Sequence, residues 1–140
     1  YNFFQNHNLC VGTDSLASNN SLSILDEIKV IASNSNLDLQ QLLVASCYNG
    51  AKALGKSSEI GSLEIGKQAD MVIISTNSLH SIPLFDPITH LVYSCSKSDV
   101  KHVYIAGKQC VKDGSIISFD IENIIKEVKK LKMPTLNSLL

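Results

Sequence analysis

The chain has 140 residues, is 44% hydrophobic and 18% charged, and has a formal net charge of −1, which fits a folded domain with a sizeable core rather than a disordered tail. That balance offers no basic field for nucleic acid, and no apolar run approaches the roughly 18 residues of a membrane span. No signal peptide pattern opens the chain, so a cytoplasmic address is expected.

The first residue is Tyr1 rather than Met, and the apolar opening Tyr1-Asn2-Phe3-Phe4 reads as part of something longer. Residues 1–8 are expected to end a helix, with Phe3 and Phe4 on its apolar face and Asn6 to Asn8 as the turn out of it. A strand follows at Leu9-Cys10-Val11 and stops at Gly12-Thr13-Asp14. A strand that delivers one carboxylate to its C-terminal end, ahead of a polar loop and a helix, is how α/β barrels present catalytic or metal-binding groups.

From Leu22, the positions Leu22, Leu25, Ile28, Ile31 and Ala32 recur at helical spacing, with Asp26, Glu27 and Lys29 facing elsewhere. After the break at Asn34-Ser35-Asn36, Asp38 followed by Gln41 starts a second helix carrying Leu39, Leu42, Leu43, Cys47 and Ala51 and ending near Gly55. The period then changes. Gly61 and Gly66 punctuate short segments, Met71 to Ile74 reads as a buried strand, and Val100 to Ile105 with Gln109 to Val111 flank a Gly107-Lys108 turn. Asp120 caps a last amphipathic helix with Ile121, Ile124, Ile125, Val128 and Leu131 on one face, stopped by Pro134.

A carboxylate at a strand end can hold a divalent metal with one oxygen and take a proton from water with the other. Asp14 is the candidate for both roles, against the plainer reading of a helix or loop cap. Ser18, Asn19 and Asn20 stand beside it as groups that could hold the carboxylate or a substrate, with Ser15 a further candidate for that role, and Ser18, Asn19 and Asn20 equally suit a turn. Glu27 reads as a solvated or loop-anchoring side chain. His7, His80, His90 and His102 form no H-x-H or H-x-x-x-H pair and read as loop or sheet histidines. Cys10, Cys47, Cys95 and Cys110 form no C-x-x-C pair and read as reduced packing residues. No nucleophile elbow and no glycine-rich phosphate loop is present.

Five segments in order, GTDSLASNN at Gly12 to Asn20, SLSILDEIKVIA at Ser21 to Ala32, NGAKALG at Asn49 to Gly55, GSLEIGKQADMVII at Gly61 to Ile74 and VKHVYIAGKQCVKDG at Val100 to Gly114, resemble the C-terminal part of the amidohydrolase superfamily. The branch is that of the deaminases and chlorohydrolases, which includes guanine, methylthioadenosine/S-adenosylhomocysteine and aminofutalosine deaminases. The resemblance implies an α/β fold: the last strand-helix part of a (β/α)8 TIM-type barrel with Leu9 to Thr13 as its eighth strand, then half of a small β-sandwich and a C-terminal helix. The corresponding boundaries are 1–56, 57–118 and 119–140.

The resemblance makes Asp14 the metal-binding aspartate that accepts a proton from the attacking water. It implies Zn2+, or Fe2+, with the remaining ligands outside this chain, because the family's H-x-H, its later histidines and its acid-base glutamate have no counterpart here. The wording GTDSLASNNSLS looks closest to aminofutalosine deaminases of menaquinone biosynthesis and their methylthioadenosine-deaminase relatives. The expected activity is therefore hydrolytic deamination of a small aminopurine nucleoside by a bacterial enzyme. The alternatives are a triazine or ammeline-type chlorohydrolase, and a non-catalytic fragment acting as an interaction module. A fragment of this kind would leave its first strand unpaired, so a homo-oligomer is expected, with neither nucleic acid nor membrane as a partner.

Overall fold

The computed structural model describes residues 8–131, and the helix end expected over residues 1–8 and the Pro134 stop lie essentially outside them. Local chemistry sets the helix ends. In α1, Ile24–Asn34, the Ser23 hydroxyl accepts from the Asp26 N–H at 3.3 Å, and Asp26 and Glu27 place negative charge in the first turn, where the helix dipole favours it. The helix begins two residues after Leu22 because the cap is Ser23. In α2, Leu39–Ser46, the Asp38 carboxylate accepts from the Gln41 N–H at 3.0 Å.

The second expected helix is in fact two. At Cys47 the backbone leaves helical geometry, with φ −124° and ψ −80°, and α3, Tyr48–Ala53, starts in a new direction before Gly55. No Gly or Pro marks this break, so helical periodicity runs through it undetected.

The core is built by α1, α2 and a segment that sequence periodicity did not resolve. Ile28 and Ala32 of α1 meet Leu42 of α2 and Val92, with Val11, Leu25, Ile31, Leu39 and Leu43 packed around them. Val92 belongs to a wide π turn, His90–Ser94, that continues the short helical turn α4, Pro87–Thr89. Each large aliphatic side chain fully buried there contributes about 2 kcal/mol.

The expected strand Leu9 to Thr13 has no sheet partner among the described residues. It is held instead from α2 and α3. Val11 N–H donates to the Ala45 carbonyl at 3.3 Å, the Asn49 side chain donates to the Leu9 carbonyl at 2.9 Å, and the Asn8 side chain donates to the Asn49 carbonyl at 3.1 Å. With no neighbouring strand to cover it, Cys10 is exposed, as is Cys47 at the helix break. The packing role expected of all four cysteines therefore fails for these two. It holds for Cys95, which is fully buried and whose thiol pKa is pushed up by burial and by the nearby Asp99 charge.

The second half is a four-stranded antiparallel sheet in the order β1-β2-β3-β4, with β1 Met71–Ile74, β2 Val100–Ile105, β3 Lys108–Lys112 and β4 Ser115–Ile116. β1 is an edge strand rather than a buried one, with Val72 and Ile73 exposed. The β2–β3 turn is centred on Ala106-Gly107, one residue earlier than expected. Both have positive φ, 49° and 77°, the primed geometry that matches strand twist in a two-residue hairpin. The Asp70 carboxylate accepts from the Ala106 N–H at 2.6 Å and so stabilises a conformation unfavourable for alanine. The same geometry recurs at Asp113-Gly114, φ 48° and 77°, and turns the chain into β4. β4 is not among the strands expected from the sequence, although the dipeptide Asp113-Gly114 is a hairpin-turn signal.

The connection from β1 to β2 is organised by Asp99, a buried carboxylate at 4% exposure. Its Oδ1 accepts from the Ser78 hydroxyl at 2.9 Å, and its Oδ2 from the Ser96 N–H and hydroxyl, both at 2.9 Å. His80 Nε2 lies 3.0 Å from the same Oδ2. Burial penalises the charge, but the Ser96, His80 and Ser78 hydrogen bonds outweigh it and hold the carboxyl well below the usual range.

The last helix, α5, Ile121–Lys130, is capped by Asp120, whose carboxylate accepts from the Asn123 N–H at 2.9 Å. Its expected apolar face is present in sequence, yet Ile121, Ile124, Ile125, Val128 and the following Leu131 are all exposed. No helix among the described residues is long and apolar enough to cross a membrane.

Two measurements check these local arguments. Asp99→Ala strands buried donors and is expected to cost about 2–4 kcal/mol in urea unfolding at neutral pH. Because the folded-state pKa is depressed, this stabilisation is full above the unfolded value of about 3.9 and is lost as pH falls below it. The gap in Tm between wild type and Asp99→Asn should therefore narrow in acid, and a pH-independent gap would contradict an ionised Asp99. Gly107→Ala is expected to lower stability by about 1–2 kcal/mol, because alanine would have to hold the left-handed conformation. Gly66, φ 95°, should respond in the same direction, and unchanged melting of both variants would contradict these turns.

Candidate functional site

The core delivers the segment Leu9 to Thr13 to the N-terminal end of α1, and the loop between them carries the polar candidates. Asp14 sits at the bend with φ 55°, a left-handed conformation uncommon for any residue other than glycine. The carboxylate is at the surface. Its Oδ2 accepts from the Ser18 hydroxyl at 2.7 Å, and among the described residues Oδ1 takes no hydrogen bond.

The loop winds tightly on Ser15. Its carbonyl accepts from the N–H groups of Ser18 at 3.1 Å and Asn19 at 2.9 Å, and its hydroxyl accepts from the Ala17 N–H at 3.3 Å. That single turn brings Ser18 back over Asp14. Asn19 donates from Nδ2 to the Thr13 carbonyl and to Glu27 Oε1, both at 2.7 Å. Glu27 is thus a loop anchor, as one reading of the sequence has it, and it reaches the loop from the first turn of α1. Asn20 is exposed.

The structure therefore brings Asp14, Ser15, Ser18 and Asn19 into one loop. It does not bring the histidines there: His80 belongs to the Asp99 network, His90 is buried in the π turn, and His102 lies in β2. His102 Nδ1 accepts from the Asp113 N–H at 3.3 Å, which ties it to the second hairpin turn. A separate open cleft of about 400 Å3, lined by Ser75, Asn77, Ser78, Ser98, Asp99 and Lys101, shares no residue with the Asp14 loop.

Among the described residues no three His, Cys, Asp or Glu side chains converge as a metal site. Asp14 fits a metal as one ligand of a larger set, with one oxygen oriented by Ser18 and the other open. A catalytic zinc needs about three protein ligands, so the other donors of such a site lie beyond this loop.

The profile of the amidohydrolase family matches residues 5–110. The chain belongs to the amidohydrolase family. The 5'-deoxyadenosine deaminase of Methanosarcina mazei is 39% identical over 131 residues, covering 88% of this chain and 30% of that protein. The 5-methylthioadenosine/S-adenosylhomocysteine deaminase of Thermoanaerobacter pseudethanolicus is also 39% identical over 131 residues, with the same coverage. Among solved structures, an adenosine deaminase from Xanthomonas campestris with bound zinc superposes with a TM-score of 0.81 at 34% identity, over 88% of this chain and 30% of that one. The amidohydrolase chain thus spans about 30% of the length of the relatives it matches.

Sequence reasoning missed two groups that shape the architecture. The Asp99 hub is written as Ser96-x-x-Asp99, a capping-box pattern that the structure uses around a single 3-10 turn, Lys97–Asp99. Asn49 lies in the segment NGAKALG with no feature of its own that marks it. Its side-chain bond to a backbone carbonyl 40 residues away has no local signature.

Proposed function

We propose that this chain is the aspartate-bearing C-terminal end of a metal-dependent hydrolase that deaminates the 6-amino group of an adenine nucleoside with an altered 5' position. The observation that carries the reading is Asp14: a carboxylate held by Ser18 where an extended segment turns into a loop, with one oxygen open, in a chain similar to deaminases of 5'-deoxyadenosine and 5-methylthioadenosine/S-adenosylhomocysteine.

In this reading residues 1–56 end the catalytic barrel, 57–118 form the small β-sandwich module and 119–140 form the C-terminal helix. Zinc, present in the Xanthomonas campestris neighbour, or iron supplies Lewis-acid activation of water when bound. Asp14 contributes one oxygen as a ligand and, with its carboxylate, accepts the proton that the attacking water loses. Water oxygen adds to C6, the proton passes to the amino nitrogen, and the C6–N bond breaks to release ammonia and leave a 6-oxo purine. Ser18 keeps the carboxylate turned toward that work. Ser15 sets the turn that places Ser18, and Asn19 holds the backbone before Asp14. The wording of the loop supports aminofutalosine, the menaquinone-pathway nucleoside, within the same substrate class.

The experiment uses the deaminase that contains this chain. Asp14→Asn is expected to lower kcat for ammonia release by about 10³-fold or more and to reduce bound metal, with apo-protein melting little changed because asparagine has the same shape and tolerates the left-handed conformation. A panel of 5'-deoxyadenosine, methylthioadenosine, S-adenosylhomocysteine and aminofutalosine, compared by kcat/KM, fixes the 5' preference. Wild-type turnover and metal content in Asp14→Asn would remove Asp14 from the mechanism.

A further inference from the structure

The carboxylate of Asp14 is held from within its own loop, but the backbone that carries it is held from outside. Asn19 is the link. Of its two Nδ2 hydrogens, one goes to the Thr13 carbonyl and one to Glu27 Oε1, each at 2.7 Å, while Oδ1 accepts from the Ser21 N–H at 3.3 Å. A primary amide has two donor hydrogens, and these contacts use both. The Glu27 carboxylate also fixes which end of the amide faces it, since the reversed orientation would set two acceptors against each other.

The Thr13 carbonyl belongs to the peptide plane from which the Asp14 φ is measured. Fixing that carbonyl fixes the plane, and it stabilises a φ of 55° that a residue other than glycine holds only when its surroundings impose it. Glu27 can impose it because it is not a loop residue. It stands on α1 next to Ile28, which is 1% exposed in the main core, so its anchor is as rigid as the packing of that helix.

We infer that Glu27 is a positioning residue for the Asp14 centre, acting through Asn19 and the Thr13 carbonyl to hold Asp14 in the orientation that offers its free oxygen to a divalent metal. This rests on the reading of Asp14 given above. Glu27 touches neither metal nor substrate, and its effect travels through two hydrogen bonds and one peptide plane.

The test uses the metal-loaded deaminase that contains this chain, with Glu27→Ala, Asn19→Ala, their double variant and Asp14→Asn side by side. Metal affinity is measured by competition with a chromophoric chelator, kcat and KM are separated, and apo-protein melting is recorded. Glu27→Ala is expected to weaken metal affinity by about 10–100-fold and to lower kcat, with KM changed by less than about threefold. The double variant should be no worse than the poorer single one, because both remove the same link. Glu27→Gln retains an acceptor oxygen and should recover most of the loss.

Wild-type metal affinity and kcat in Glu27→Ala, with or without a lower Tm, would overturn the inference, as would additive losses in the double variant or no recovery in Glu27→Gln. If Glu27→Ala does not fold, Asn19→Asp decides: it sets two carboxylates face to face and should weaken metal binding, and unchanged affinity overturns the role. An inactive Asp14→Asn beside a normal Glu27→Ala sinks this inference alone. A normal Asp14→Asn sinks the reading of the site itself.

Discussion

The packing of Ile28 into Leu42 and Val92 is the constraint on which the first half of the chain depends. It joins the neighbouring helices α1 and α2 to the π turn, which is distant in sequence, and Val11 leans on the same cluster. A core with so few fully buried large side chains has little redundancy, since removal of any one leaves a cavity that its neighbours cannot easily fill. Its consequence for the site is geometric. Glu27 is adjacent to Ile28, so the face of α1 that enters the core fixes the face that reaches back to the loop, and the loop presents Asp14.

The stretch leading from β1 to β2 is organised around one polar hub. Asp99 gathers Ser78, His80 and Ser96, and its backbone carbonyl accepts from the Ser75 N–H at 2.8 Å, just past β1. One buried charge thereby fixes both ends of an otherwise irregular connection. Such a hub is stable only when nearly all its lone pairs are used, and here they are. Its cost is intolerance: a neutral or shorter side chain at 99 leaves donors without partners.

How much of this could be read from residues alone follows from the range of each interaction. Caps at Ser23, Asp38 and Asp120 act over three residues, and all three helices they start were legible, two from their cap residues and α1 from its apolar spacing. The β2–β3 hairpin was legible to within one residue, because either Gly107-Lys108 or Ala106-Gly107 could supply the turn and only the Asp70 bond to Ala106 decides. The break at Cys47 was not legible, since nothing there opposes a helix locally. Nor was the state of Leu9 to Thr13, which has strand composition but is held by hydrogen bonds to Asn49 and Ala45. At the site, Asp14, Ser18 and Asn19 are neighbours in sequence and were visible together. The Asn19 to Glu27 bond spans eight residues across a turn, and neither helical nor strand periodicity carries information at that separation.

The exposed apolar surface belongs to the same account. Ile124, Ile125 and Val128 on α5, and Val72 and Ile73 on β1, face outward, while the main core gathers α1, α2 and the π turn and takes no residue from α5 or the sheet. An amphipathic helix gains most of its stability from the surface its apolar face covers, and propensity alone leaves ten residues marginal. The order at the Asp14 loop owes nothing to these faces. It is carried by side-chain hydrogen bonds of 2.7 Å, one of them from Asn19 to Glu27 of α1, so the carboxylate is oriented by its own segment of chain. In the metal site proposed above, this chain's own hydrogen bonds thus set the direction of one ligand, Asp14.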